Sequence, residues 1–138
     1  MYPTKDEILE KRPDLDPEVI KIIKNWKINF IKGWKYTPIK MKLERLELLI
    51  TEILEKTQKK NKKSLNLRLS NQYKYNPTTK TLYQNKEKPS IVSALHELAH
   101  HIYGPSELTA CQWSVWLFKE CFPGLYKNLK WKKHTLTK

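Results

Sequence analysis

In Ser90-Ile91-Val92-Ser93-Ala94-Leu95-His96-Glu97-Leu98-Ala99-His100-His101-Ile102-Tyr103-Gly104-Pro105-Ser106-Glu107, residue type alone spells out a helix followed by a reversal. Ser90 is a capping residue, and Ile91, Val92, Leu95, Leu98, Ala99 and Ile102 recur at the spacing of one helical face. Gly104 supplies a left-handed cap, and Pro105 prevents the helix from continuing. Ser106 then caps a second helix bearing Leu108, Cys111, Val115, Phe118 and Phe122, which Pro123-Gly124 interrupts.

The first of these helices carries the chemistry. His96 and His100 stand four positions apart, one turn along the same face, where both imidazoles can bind a single metal ion. A catalytic zinc site takes three protein ligands, with nitrogen at about 2.0 to 2.1 Å, and keeps one position open for water. Glu97 adjoins the first histidine and can reach that water without binding the metal. The third ligand is expected in Glu107, which the glycine turn brings back toward both histidines. As a first-turn acid, Glu107 is also favoured by the helix dipole, by about 0.3 to 1 kcal/mol, and the two roles are compatible. His101 points about 100° away from His100 and reads as a helix-surface residue.

Outward from this core, Asp16-Pro17 marks a helix start, and Val19, Ile20, Ile23, Trp26 and Phe30 follow at helical spacing until Gly33. Thr37-Pro38 opens a second helix, with Leu46, Leu49, Ile50, Ile53 and Leu54 on its apolar face toward Lys56. Lys59-Lys60-Asn61-Lys62-Lys63 reads as a charged loop. Leu65, Leu67 and Leu69 then alternate with polar residues, as in a strand with one buried face. Tyr73-Lys74-Tyr75 and Thr81-Leu82-Tyr83 flank the turn-prone Asn76-Pro77-Thr78-Thr79 and predict a hairpin. The expected class is α+β: N-terminal helices, a sheet of about three strands, and the two C-terminal helices. A length of 138 residues suits one domain over 1–138, with a basic tail from about residue 125.

The formal net charge is +13 and comes almost wholly from lysine, with Arg12, Arg45 and Arg68 the only arginines. Such a balance raises nucleic acid, an acidic protein surface or an anionic membrane as partners. The scarcity of arginine speaks against base reading, and a solvated lysine surface explains the charge as well. Cys111 and Cys121 fall ten positions apart on one expected helix, about 15 Å along its axis, too far to pair. Two buried thiols, a polar N-terminal stretch without a signal-peptide core, and no apolar run of about 18 residues predict a cytoplasmic protein without a membrane partner.

His96-Glu97-Leu98-Ala99-His100-His101, Gly104-Pro105-Ser106-Glu107 and Ala110 with Trp113-Ser114 resemble the minigluzincins, a family of very small zinc peptidases. The resemblance is sharpest over residues 93–123 and looser over the preceding helices and hairpin. It implies one zinc per chain on His96, His100 and Glu107, with Glu97 as general base and acid. Several minigluzincins are kept latent by a C-terminal segment folded into their own cleft, which makes Trp131 a possible anchor and His134 a possible occupant of the open zinc position. Many gluzincins place an aspartate four residues after the ligand glutamate to hold a ligand histidine; Cys111 occupies that position here.

The function expected is zinc-dependent hydrolysis of a peptide or protein substrate, lying extended along an edge strand. The oxyanion partner is left open among Tyr103, Tyr126 and His134, while Trp113 and Trp116 read as core or rim. The alternative is a basic module binding nucleic acid or a protein partner, whose zinc site serves only the fold. Lys127, Lys130, Lys132 and Lys133, interleaved with Tyr126 and Trp131, would be its contact residues.

Overall fold

The charged N-terminal stretch contains a helix that its composition conceals. Thr4 Oγ1 accepts from the Glu7 amide at 3.2 Å, and Glu7 Oε1 accepts from the Thr4 amide at 3.0 Å. This reciprocal capping box starts α1 (Lys5–Glu10) and leaves Ile8 and Leu9 buried. The computed structural model describes residues 3–57 and 65–127, together with the backbone of residues 130–131 and 134–135.

The remaining N-terminal helices follow the sequence signals. Asp16 Oδ1 accepts from the Glu18 amide at 2.8 Å and caps α2 (Pro17–Phe30). Gly33, at φ +77°, turns the chain through a single 3-10 turn (Trp34–Tyr36) into α3 (Ile39–Thr57). The two helices are tied by Trp26, whose indole N–H donates to the Arg45 carbonyl at 2.8 Å while its ring packs against Phe30, Trp34 and Phe122. A buried tryptophan with its one donor satisfied combines a large apolar surface with a fixed orientation. The loop expected at Lys59 to Lys63 lies outside the described residues.

The sheet has the order β1-β3-β2, formed by β1 (Asn66–Ser70), β2 (Lys74–Asn76) and β3 (Thr81–Asn85). The expected hairpin pairs β2 antiparallel with β3, while β1 runs parallel to β3 on the other side. Asn76 Oδ1 accepts from the amides of Thr78 and Thr79, and Lys80 takes φ +50° to close the turn. β3 is thus central and carries the buried residues Leu82 and Gln84. On β1 only Leu67 is buried; Leu69 is exposed, so the expected apolar face of this edge strand is shorter than its alternation suggested.

Gln84 couples the sheet to the helix that matters most. Its Oε1 accepts from the Ser90 amide at 2.8 Å, immediately before α4 (Ile91–Tyr103), and Ser90 Oγ in turn accepts from the Ser93 amide. α4 lies between β2 and β3 on one side and α5 (Glu107–Cys121) on the other. Leu95, Leu98 and Ala99 are buried there, and Ile102 is half-buried. α1 packs on the outer face of α5, where the Trp116 indole donates to the Ile8 carbonyl at 3.0 Å.

Pro123 ends α5 as expected, but it also begins a further turn, α6 (Pro123–Tyr126). The basic tail, which shows no period in its sequence, contains an antiparallel pair of two-residue strands, β4 (Lys130–Trp131) and β5 (His134–Thr135). The architecture is α+β, and no helix among the described residues is long and apolar enough to cross a membrane.

Candidate metal centre

Gly104 adopts φ +101° and donates its amide to the His100 carbonyl at 3.0 Å, closing α4 in a conformation that side chains with a Cβ rarely adopt. Ser106 Oγ accepts from the Thr109 amide and opens α5, with Glu107 as its first residue. The chain therefore reverses within a few residues and directs the Glu107 carboxylate back at α4. Glu107 Oε1 lies 2.8 Å from His100 Nε2, and Oε2 lies 3.2 Å from His96 Nε2. The two imidazoles stand edge to face, with centroids 4.9 Å apart. The carboxylate selected from the sequence thus bridges the two selected histidines, one oxygen to each.

The opposite ring nitrogens of the two histidines have different partners. His100 Nδ1 lies 2.9 Å from the Gly104 carbonyl. A carbonyl only accepts, so Nδ1 carries a proton and Nε2 is the nitrogen turned toward Glu107. His96 Nδ1 instead faces Cys111 Sγ at 3.7 Å. Burial holds the His96 pKa below its usual value, opposed in part by the Glu107 charge.

Two observations test whether a metal suits these residues. In neutral His100, Nε2 and a carboxylate oxygen 2.8 Å away are both acceptors, an arrangement that calls for a proton or a metal ion between them. Glu107 Oε2 is buried without a hydrogen bond among the described residues, although His96 Nε2 is close by. Such an orphaned atom in a cluster of nitrogen and oxygen donors fits a cation. His96, Glu107 and Cys111 also form a group whose ligand atoms all lie within 4.8 Å of one another and could hold a metal ion. The two donor sets overlap. Cys111 sits against Nδ1 of His96, whereas the Glu107 carboxylate faces the Nε2 atoms of both histidines.

Glu97 occupies the adjacent position on α4, with Oε1 3.9 Å from His96 Nε2. Its carboxyl is buried, which pushes its pKa up to about 7; the Glu107 charge adds to the rise, and His100 opposes it. Glu97, His100 and Glu107 line a cleft of about 510 Å³ together with Gly104 and Pro105. The opposite wall is Tyr73, Lys74, Tyr75 and Pro77, contributed by β2 and its flanks. Comparison of the chain with protein-family models, with curated proteins and with solved structures returns no match.

The wall formed by β2 joins the site only through the tertiary fold. No periodicity in Tyr73-Lys74-Tyr75 announces it, because only the packing of the hairpin against α4 brings it there. His101 is a correction. It is buried rather than on the helix surface, with Nδ1 2.6 Å from Tyr75 Oη and the two rings edge to face. A position 100° from the metal face of α4 points at the sheet, where Tyr75 meets it. Tyr103 packs edge-on against Trp113, and Tyr126 is buried beneath the Lys119 ammonium; neither lines the cleft. The His134 and Trp131 side chains lie outside the described residues. Trp113 is core and Trp116 half-buried, and both cysteines are buried and outside any disulfide.

Proposed function

We propose that the chain is a zinc-dependent peptidase of minigluzincin type, with His96, His100 and Glu107 as ligands and Glu97 as general base. The observation that carries this reading is the Glu107 carboxylate set across the Nε2 atoms of both histidines, at 3.2 and 2.8 Å. Zinc, when bound, supplies a Lewis acid that polarises the scissile carbonyl and lowers the pKa of an attacking water to about 7.

The chain's own residues do the rest. The Gly104 carbonyl holds the His100 ring in the tautomer that offers Nε2. Glu97 accepts the proton of the attacking water at a carboxylate oxygen and passes it to the departing amine nitrogen as the C–N bond breaks. The substrate backbone would pair with the free edge of β2, whose flanks wall the cleft, so that β2 is the edge strand used.

Elemental analysis of protein purified without chelator, combined with a peptide-library cleavage assay, tests the reading. Close to one zinc per chain and cleavage that disappears in Glu97→Gln, with zinc retained, is the expected result. Cys111 favours a second reading. Its thiol belongs to a possible donor group with His96 and Glu107, and a site closed by protein ligands would serve the fold of a basic binding module. Zinc content with no cleavage by the wild-type chain of any library peptide or protein substrate would select that alternative.

A further inference from the structure

A run of lysine uninterrupted by acid lies on one helical hairpin, and five of its residues, Lys27, Lys32, Lys35, Lys40 and Lys42, fall at the hairpin's tip. Between Glu18 and Glu44 there are seven lysines, from Lys21 to Lys42, and no acidic residue, against a net charge of +13 for the whole chain. The last turn of α2, the 3-10 turn and the first turn of α3 share this end. Lys32, Lys35 and Lys40 are exposed on it. The acidic neighbours are Glu44, one turn into α3, and Glu120 of α5, which lies close enough to Lys24 and Lys27 for all three to act on Cys121.

The same end also exposes apolar side chains. Tyr36 is 84% exposed, Ile28 77%, Met41 42% and Ile39 37%. Single exposed apolar residues are ordinary, but four of them within a lysine collar at the tip of a hairpin are a different arrangement. Trp34 and Phe30 lie partly buried behind them, with Lys42 over the Trp34 ring at 5.6 Å and Arg45 over Phe30 at 5.1 Å, so the tip is braced from within. None of these residues lines the metal cleft.

We propose that the α2–α3 tip is a binding site for an anionic lipid surface, with Tyr36, Ile39 and Met41 entering the headgroup region and Lys32, Lys35 and Lys40 meeting the phosphates. Aliphatic and aromatic side chains ringed by lysine match an interface that is apolar within and anionic at its surface. Lysine serves this purpose as a point charge, whereas base-reading surfaces draw on arginine, of which this tip has only Arg45, engaged with Phe30. The absence of a spanning segment concerns passage through a bilayer, not contact with its surface. The inference does not depend on peptidase activity.

Flotation of the full chain with vesicles of phosphatidylcholine alone, or with one third phosphatidylserine, tests it. The chain should partition onto the anionic vesicles at 50 mM salt, at least tenfold more weakly at 300 mM, and negligibly onto the neutral ones. Lys32→Ala/Lys35→Ala/Lys40→Ala should lower partition at least tenfold, and Tyr36→Ser/Ile39→Ser/Met41→Ser should lower it severalfold at unchanged charge. A control that removes three exposed lysines elsewhere, Lys11→Ala/Lys86→Ala/Lys88→Ala, should retain most of it. All substituted residues are exposed, and matching circular dichroism melts verify that the variants fold. Absence of binding, equal loss in the control, or indifference to the apolar substitutions overturns the proposal. So does tighter, tip-dependent capture by a single-stranded oligonucleotide, which would assign the surface to nucleic acid.

Discussion

Cys111 Sγ faces His96 Nδ1 at 3.7 Å, while the corresponding nitrogen of His100 meets a backbone carbonyl at 2.9 Å. Of the two imidazoles proposed as ligands, one is thus backed by a strong acceptor and the other by a weak one. An acceptor behind a ligand histidine raises its basicity and fixes its ring, and loss of such a partner typically weakens affinity or activity 10- to 100-fold. Cys111→Asp is expected to tighten zinc binding by roughly tenfold or more in chelator competition, provided the buried carboxylate accepts from Nδ1. Cys111→Ala should change it little. Collapse of binding in Cys111→Ala, together with a sulfur-to-metal charge-transfer band in the cobalt-substituted wild type, would make Cys111 a ligand instead.

Glu107 and His101 should behave differently when removed, since the first faces the two Nε2 atoms and the second braces α4 to β2. Glu107→Ala is predicted to lower zinc affinity by at least tenfold. His101→Phe should leave one zinc per chain and act on KM more than kcat, because it removes the contact with Tyr75 that positions the cleft wall. Equal losses of affinity in the two variants would show the third ligand to be misassigned.

Glu97 predicts a pH dependence in chelator-treated protein. Its folded pKa is raised from an ordinary 4.5 to about 7, so the folded state holds a proton that the unfolded chain has lost. Its contribution to stability is therefore complete below about pH 4.5 and is lost as pH rises through 7. The loss amounts to at most about 3 kcal/mol, at 1.36 kcal/mol per pH unit. Relative to Glu97→Gln, the metal-free wild type should melt at a progressively lower temperature between pH 5 and pH 8. Parallel melting curves of the two proteins against pH would refute the assignment.

Removal of the segment after Asn128 tests latency, which the minigluzincin resemblance implies and in which Trp131 and His134 would take part. A tethered segment reaches millimolar effective concentration, enough for a weak contact to block the cleft. The truncated chain should cleave a peptide library faster than the full chain, with zinc content and melting temperature nearly unchanged. Equal activity in a folded truncated chain would dismiss the idea.

Much of the framework was legible because its signals are local. Asp16-Pro17, Ser90 and Ser106 sit at the helix starts they announce, and Gly104 takes the positive φ that glycine permits. The turn-prone Asn76-Pro77-Thr78-Thr79 became the turn of the expected hairpin. The helix α1 has an equally local signal in the Thr4-x-x-Glu7 capping box, but within a charged stretch only Ile8 and Leu9 give it an apolar face. By contrast, the alternation of Leu65, Leu67 and Leu69 overstated the buried face of β1, because burial depends on what covers a strand and not on its period.

By itself, the sequence determined the pairing of His96 with His100 and the return of Glu107. One helical turn and one glycine reversal set these positions, and both are properties of a short run of backbone. Only the tertiary structure decided what surrounds them. Tyr75 reaches His101 across twenty-six residues of chain, and Cys111 reaches His96 across fifteen. The burial that lifts the Glu97 pKa depends on α4 lying between the sheet and α5. Contacts of this kind arise from the packing of whole elements, whose free energy is distributed over the core, and no spacing of residues along one segment encodes them.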